Sequence, residues 1–161
     1  MNLIANGTLT LLRNPDALVR LRREPAWVLP VVEELLRFEP PVQYLPNRAA
    51  LEDITIDGTT IAKGSQLTLL IAAANRDPGR FTNPDRFDPD RPDNQHLGFG
   101  SGLHYCFGAP LARVEVHMAL AELAGRPDNP RLIEDPPPYR PSPVLRGPRH
   151  LRVAYDARRA R

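Results

Sequence analysis

Apolar residues near the start of the chain recur at the three- and four-residue spacing of amphipathic helices. This pattern predicts one helix over residues 2–13, a second from Pro15 to about Arg23, and a third over residues 27–38. Asn14 is expected to cap the second helix, and Pro15 suits its first position, where an N–H would be unpaired in any case. The prolines that follow Glu39 then end the third helix.

Residues 42–72 change to the two-residue period of β-strands. Residues 51–56 and 59–61 flank an Asp-Gly pair, and residues 66–70 follow a second turn at Lys63-Gly64. An Asp-Gly pair between alternating runs is a strong hairpin signal. We therefore predict a small antiparallel sheet, with an extended segment before it and one helical turn over residues 71–76 after it.

Prolines set the character of the rest of the chain. There are 19 of them, clustered after residue 75, so residues 73–98 are predicted to form an irregular meander. Residues 99–125 form a loop that contains the cysteine and then a helix over 109–124, and residues 126–161 form a tail with short strands near 132–133 and 151–155. Gly125 is expected to end the helix. Four apolar residues of the helix are expected to face the core: Leu111, Val114, Met118 and Leu123.

Composition narrows the class of protein. With 161 residues, 42% of them apolar, the chain is long enough for a single domain with its own core. A net charge of +2 gives no reason to expect nucleic acid as a partner, and no apolar run is long enough to suggest a membrane partner. A single cysteine, Cys106, excludes an internal disulfide and is typical of the reducing cytoplasm. The start of the chain has no signal-peptide pattern.

The stretch around that cysteine carries the strongest chemical signal. Gly100, Gly102 and Gly108 surround Cys106, and glycine lets a backbone lie close against a flat ligand. The helical pattern begins just after the cysteine, so the sulfur is predicted to lie at a loop-to-helix junction, where free amide groups favour negative charge. A thiolate there would be a good ligand for iron.

The string Phe99-Gly-x-Gly-x-His-x-Cys-x-Gly-x-x-Leu-Ala-Arg113 resembles the haem-binding signature of the cytochrome P-450 family. The resemblance implies that Cys106 is the axial ligand of the iron of haem b (iron protoporphyrin IX). It places His104 near a haem propionate, and Phe99 and Phe107 near the sulfur and the porphyrin face. Gly100 and Gly108 belong to the same implied cofactor site.

A second motif supports the resemblance. Glu34 and Arg37 stand three residues apart, so they share one face of the third helix. An exposed intrahelical ion pair would contribute little, but the family carries the same Glu-x-x-Arg motif in a structural role. By resemblance, the pair holds an arginine of the meander and so supports the cysteine loop. Arg86 matches that third position, and Arg91 is a nearby competitor.

The resemblance also implies ligand-binding roles for residues outside these motifs. Arg48, in the extended segment, is expected to bind a propionate; the alternative is an ordinary solvated arginine. Residues 43–45 are expected to face the substrate, and residues 143–145 to approach the far side of its pocket. The substrate residues are therefore predicted to be Gln43, Tyr44, Leu45 and Val144.

In full, the resemblance implies a mainly helical α+β chain that forms the C-terminal part of the P-450 fold. The implied activity is a haem-thiolate monooxygenase, which inserts one atom of dioxygen into an apolar organic substrate and receives electrons from a ferredoxin or flavoprotein. Arg113 and its neighbours are candidates to meet such an acidic redox protein. His96 is assigned no role and is expected at the surface, and Arg158, Arg159 and Arg161 are expected to be a frayed end.

Two alternatives remain open. Residues 2–7 resemble the second half of the family's distal helix, and neither Thr8 nor Thr10 stands at the position of its acid–alcohol pair, which acts in oxygen activation. The chain is therefore expected to be a truncated member whose activity alone is limited, and the alternative is an inactive or non-enzymatic haem-binding remnant. A nucleophilic or redox-sensing thiol at Cys106 is a third hypothesis, disfavoured because no Asn or Asp is placed to orient His104.

Overall fold

The computed structural model describes residues 1–157. The predicted frayed end, which contains Arg158, Arg159 and Arg161, therefore lies outside the described residues. The three predicted N-terminal helices are confirmed as α1 (Asn2–Arg13), α2 (Pro15–Arg23) and α3 (Val28–Phe38). A short 3₁₀ turn, Pro25–Trp27, leads into α3. No helix within residues 1–157 combines the length and the apolar character needed to cross a bilayer.

Asn14 occupies the N-cap position of α2, as predicted. Its side chain makes no hydrogen bond to the first turn of α2. Instead, Asn14 Nδ2 donates to the carbonyl oxygen of Thr10 at 2.8 Å. The side chain thereby satisfies a carbonyl at the end of α1, where the last turn leaves acceptors unpaired. Pro15 does occupy the start of α2, as its fixed φ predicts.

Within residues 1–157 the strands form three separate two-stranded antiparallel sheets, where one small sheet was expected. β1 (Leu45–Ala49) pairs with β4 (Gln66–Leu69), and the predicted hairpin pairs β2 (Ile54–Ile56) with β3 (Thr59–Ile61). β5 (Arg131–Leu132) pairs with β6 (Val153–Ala154). The register of β1 against β4 shifts between Leu45 and Arg48, where Asn47 has a φ of 59°. This irregularity bends the strand that carries Arg48.

Between the sheets and the last long helix the chain is irregular, as the prolines predict. After the short helix α4 (Ile71–Ala74), residues 75–101 form neither helix nor strand. A 3₁₀ turn, Gly102–His104, precedes α5 (Ala109–Gly125). Cys106 therefore lies between these two elements, at the predicted junction of loop and helix.

The predicted core face of α5 is wrong. The core receives Val116, Leu120 and Ala124, whereas Met118 is 66% exposed. Leu111 and Val114 are exposed with it, and only Leu123 of the predicted set packs against the core. The helix carries apolar residues on two faces, so the period alone could not show which face is buried.

Helices α1, α2, α3 and α5 enclose one apolar core. Leu11, Leu35 and Leu120 are fully buried where these helices meet. Helices α1 and α3 come close together at Gly7, because a Cβ built on this glycine would lie 2.9 Å from Leu35 Cδ1. Fixed in this way, α3 presents its other side to the meander and to the cysteine loop, and its polar side chains there define the candidate site.

Candidate functional site

A cleft of about 920 Å³ opens between the start of α1, the segment that leads into β1, and the cysteine loop. Such a volume is within the range of small-molecule and cofactor sites. Most of its lining is apolar and includes the side chains of Leu36, Val42, Leu45, Leu69, Ile71 and Leu145. An apolar wall of this kind excludes water and favours the binding of flat or hydrophobic ligands.

Cys106 lines this cleft from the loop side. Its amide donates to the carbonyl oxygen of Phe99 at 3.0 Å, and its own carbonyl accepts from the amide of Ala109 at 3.1 Å. Gly100 has a φ of 73° and Gly102 a φ of 66°, values that a residue with a Cβ resists. The two glycines let the loop turn back on itself, and the half-buried sulfur is held at the edge of the cleft.

Arg48 and His104 line the same cleft as Cys106. Neither side chain has a hydrogen-bond or ion-pair partner within residues 1–157. A cation without a carboxylate partner, beside an apolar cleft, is available to an anionic ligand. The structure thus brings the sulfur and two candidate anion-binding groups to one cavity.

The remaining predicted cofactor residues divide into two groups. Phe99 and Gly100 line the cleft, whereas Phe107 and Gly108 do not. The side chain of Phe107 is 100% exposed, so its expected place near the sulfur and the porphyrin face stays a prediction. Gly108 lies behind the cysteine, where a Cβ built on it would be 3.8 Å from Cys106 Sγ.

The predicted substrate residues divide in the same way. Leu45 lines the cleft, but Gln43, Tyr44 and Val144 do not. The amide of Gln43 donates to the carbonyl oxygen of Val144 at 2.9 Å, so these two segments meet through their backbones. Because neighbours in extended chain point to opposite sides, the residues beside them, Val42 and Leu145, supply the lining instead.

Glu34 and Arg37 form a fully buried ion pair on α3. Arg37 donates from Nε and Nη2 to the two carboxylate oxygens, both at 2.8 Å. Its guanidinium also donates to three carbonyl oxygens, at 2.8, 2.8 and 3.1 Å, which belong to Asn75, Pro84 and Arg86. The pair is therefore an anchor for the meander, since charges so buried need every partner satisfied.

The third member of this group is Arg91, and the prediction of Arg86 is wrong. Arg91 Nε lies 3.5 Å from Glu34 Oε2, and its side chain is buried. Arg86 is exposed and contributes only its backbone carbonyl to Arg37. Both arginines fall in one proline-rich segment whose turns cannot be read from periodicity, so the sequence could not decide between them.

A second cluster, which the sequence reasoning missed, lies one residue earlier on α3. Arg113 Nε donates to Glu33 Oε1 at 2.6 Å, and Arg113 Nη2 donates to Glu33 Oε2 at 2.8 Å. His96 Nε2 lies 3.1 Å from Glu33 Oε2. Arg113 is thus occupied within the chain, and His96, expected at the surface, has a side chain that is only 6% exposed.

Electrostatics within this second cluster favour the charged forms of Glu33 and Arg113. Burial acts to raise the pKa of Glu33, but hydrogen bonds from Arg113 and His96 outweigh it and lower that pKa to about 2. The hydrogen bond to Glu33 raises the pKa of Arg113. Nearby on α5, burial lowers the pKa of His117. The Glu33–Arg113 ion pair is therefore intact throughout the physiological range.

Comparison with known proteins decides the family. A model of the family described as Cytochrome P450 matches residues 28–124, which include Glu34, Arg37 and Cys106.

The chain belongs to the cytochrome P450 family.

Individual P450 relatives agree with this assignment. The chain is 45% identical to a biotin biosynthesis cytochrome P450 of Bacillus subtilis (strain 168), over 97% of this chain and 39% of the relative. It is 41% identical to a vitamin D(3) 25-hydroxylase of Pseudonocardia autotrophica, over 99% of this chain and 40% of the relative. The chain therefore spans about two fifths of the length of these P450s.

Solved P450 structures show the same fold. The chain matches a crystal structure of P450BioI in complex with hexadec-9Z-enoic acid ligated acyl carrier protein, with a TM-score of 0.90 at 45% identity. That match covers 96% of this chain and 40% of P450BioI. CYP109E1 from Bacillus megaterium in complex with corticosterone gives a TM-score of 0.91 at 34% identity, over 96% of this chain and 42% of that one. The mainly helical architecture with small antiparallel sheets is thus a P450 arrangement, as predicted.

Proposed function

We propose that the cleft binds haem b, with the Cys106 thiolate as the axial ligand of the iron. The observation that carries the proposal is the sulfur at the edge of an apolar cleft, on a loop whose glycines permit the close approach of a flat ring. Haem iron needs only one protein ligand on this side.

Arg48 and His104 are proposed to hold the propionates of the haem. Both line the cleft with Cys106, and a buried or half-buried carboxylate needs such donors. Phe99 and Gly100 would lie against the ring from the loop side. Gly108 would act indirectly, by leaving space behind the cysteine, and Phe107 has no contact in this structure that supports a role at the cofactor.

The proposed activity of the whole protein is that of a haem-thiolate monooxygenase. Bound haem with a thiolate ligand supplies the activation of dioxygen, and one oxygen atom is inserted into an apolar organic substrate. The residues of this chain contribute an apolar wall, made of Val42, Leu45, Leu69 and Leu145, that binds such a substrate and excludes water. Gln43 and Val144 would act through the backbone hydrogen bond between them, which helps to position this wall. Tyr44 stays a proposed substrate residue by resemblance alone.

The names of relatives support this class of reaction. They include a vitamin D(3) 25-hydroxylase and a 6-deoxyerythronolide B hydroxylase. A ferredoxin or flavoprotein is proposed as the electron donor, and the cytoplasm as the compartment. The second candidate function is that of a non-enzymatic haem-binding protein. Haem binding without turnover of a substrate would favour it.

Titration of the purified chain with haemin, followed by absorbance, tests the cofactor site. We expect Cys106→Ser to change the spectrum of the bound haem, and Arg48→Gln to weaken binding by about tenfold, the loss of one charge-assisted hydrogen bond. Arg152→Gln is the matched control, because Arg152 is an exposed arginine that does not line the cleft. Equal affinity and equal spectra for all four proteins would contradict the proposed site.

A further inference from the structure

We propose that Glu33 is the positioning residue of the cysteine loop: its carboxylate closes residues 96–113 into a ring that fixes Cys106. The inference rests on the proposed role of Cys106 as the haem ligand. It concerns a different set of contacts from the Glu34–Arg37 pair, which binds the meander. Its basis is the set of distances around Glu33, together with the places in the chain of the two residues it binds.

Glu33 binds the chain on both sides of the cysteine. His96 lies before the loop and Arg113 after it, and both contact the same carboxylate, at 3.1 Å and at 2.6 and 2.8 Å. When one rigid helix holds both ends of a segment, the segment has fewer accessible conformations. The carboxylate of α3 therefore restrains the loop without touching Cys106.

On the His96 side, the hydrogen bonds fix the imidazole in one form. The amide of Gly98 donates to His96 Nδ1 at 3.1 Å, so Nδ1 is the acceptor and Nε2 carries the proton that points to Glu33. Gly98 is itself pressed against α3, because a Cβ built on it would lie 2.6 Å from the carbonyl oxygen of Leu36. The negative charge of Glu33 thus orients the backbone immediately before Phe99.

On the Arg113 side, one guanidinium contacts two aromatic residues of the loop, Tyr105 and Phe99. Arg113 Nη1 donates to the hydroxyl oxygen of Tyr105 at 3.0 Å, and the guanidinium lies 4.9 Å from the centre of the Phe99 ring. The two rings meet edge to face at 6.3 Å. Tyr105 adjoins Cys106 in the chain, and Phe99 accepts the hydrogen bond of the Cys106 amide. Displacement of Arg113 would therefore release both supports of the cysteine.

The rate at which iodoacetamide alkylates Cys106 tests the inference on the chain without haem. Cys106 is the only cysteine and is half-buried, so its alkylation reports how firmly the loop is held. We expect Glu33→Gln and Arg113→Gln each to raise the rate by about tenfold, the factor that corresponds to one hydrogen bond to a charged group. The double variant should react no faster than either single one, because the two residues act as a unit.

Two controls separate positioning from loss of charge and from general destabilisation. Glu115→Gln removes an exposed carboxylate from α5 and should leave the rate unchanged. Val31→Ala opens a cavity in the core beside α3, and should lower stability without the increase in rate under conditions where the chain is folded. If Glu33→Gln does not fold, Arg113→Lys keeps the charge but loses the two-point contact, and an increased rate is again expected.

Three results would overturn the inference. One is an unchanged rate in Glu33→Gln. Another is a rate that rises in Glu33→Gln but falls in Arg113→Gln, since this pattern would mean that a freed cation activates the thiolate. The third is an increase in Val31→Ala equal to that in Glu33→Gln. None of these measurements requires haem, so a failure of haem binding and a failure of the positioning role can be distinguished.

A spectroscopic readout extends the test to the loaded protein. Each variant is reconstituted with haemin, reduced and exposed to carbon monoxide. We expect a smaller fraction of the bound haem to give the thiolate-type band in Glu33→Gln than in Glu115→Gln. A residue that only stabilised the fold would change the amount of haem bound and leave that fraction the same.

Discussion

Two neighbouring carboxylates of α3, Glu33 and Glu34, hold different parts of the chain. Successive residues on an α-helix point about 100° apart, so the two side chains face different partners. Glu34 is fully buried with Arg37 and receives the amide of Asp88 at 2.8 Å. Glu33 is 34% exposed and bridges His96 and Arg113. One carboxylate anchors the meander, and the other anchors the cysteine loop.

Through these two carboxylates, one helix serves both stability and the candidate site. The Glu34 group is sealed from water, so its charges depend on one another and its loss should unfold the region around it. The Glu33 group is open to solvent on one side, so its loss should loosen the loop while the fold persists.

Arg37→Ala should be the most damaging change. It leaves Glu34 as an uncompensated buried charge and frees three carbonyl oxygens, and we expect a loss of about 3–5 kcal/mol in the free energy of unfolding. Urea denaturation followed by circular dichroism measures this. A loss no greater than that of Asp85→Asn, which removes an exposed ion pair with Arg76, would show that the buried pair is not the anchor of the meander.

Gly98→Ala should lower stability by about 2–3 kcal/mol, because the new Cβ would meet the carbonyl oxygen of Leu36, a backbone atom that cannot rotate away. The control is Gly125→Ala, at the end of α5, where no atom lies within 4 Å of the added Cβ. That change should raise stability by up to about 1 kcal/mol, since alanine favours helix over glycine. Equal effects in the two variants would contradict the tight contact between α3 and the loop.

Acid should weaken the Glu33 cluster selectively. The pKa of Glu33 falls from an ordinary 4.5 to about 2 on folding. Its ionisation therefore adds stability that is fully present above pH 4.5 and is lost as the pH falls toward 2. The carboxylate of Glu33 is one third exposed, so solvent screening reduces this contribution. We expect the ionised Glu33 to add about 2 kcal/mol to the free energy of unfolding.

The measurement is the difference in unfolding free energy between the wild type and Glu33→Gln at several pH values. This difference should shrink as the pH falls below 4.5. A difference that stays constant down to the lowest accessible pH would mean that Glu33 carries no shifted pKa.

Asp85→Asn should have almost no effect, although it also removes a charge from the meander. Asp85 forms an ion pair with Arg76 at 2.7 Å, but its side chain is largely exposed. Exposed pairs contribute little, so we expect a change within about 0.5 kcal/mol in the same denaturation experiment. A loss comparable to that of Arg37→Ala would remove the distinction between sealed and open ion pairs.

Much of the architecture was predictable because its signals are local. The three N-terminal helices follow from apolar spacing and from prolines at their ends, and the hairpin follows from Asp57-Gly58. The cysteine loop could be found because glycine, histidine and cysteine occur at fixed spacing. Glu34 and Arg37 could be paired because residues three apart share a helix face.

The remaining features depend on contacts between distant parts of the chain. The buried face of α5 is set by α1 and α3, and Leu120 and Met118 differ only in which side meets them. The choice of Arg91 over Arg86 depends on turns of the meander that local chemistry does not determine. His96 and Glu33 are 63 residues apart, and neither has a local pattern that indicates a partner. The adjacent glutamates of α3 were the one available hint, because two charges on a buried helix need separate partners.

The proposed role of Cys106 as a thiolate ligand of haem can be tested on one absorption spectrum. The haemin-reconstituted chain is reduced and exposed to carbon monoxide, and Cys106→Ser is measured alongside. We expect a strongly red-shifted, thiolate-type band in the wild type and its absence in the variant. Identical spectra for the two proteins, or no uptake of haem by the wild type, would contradict it.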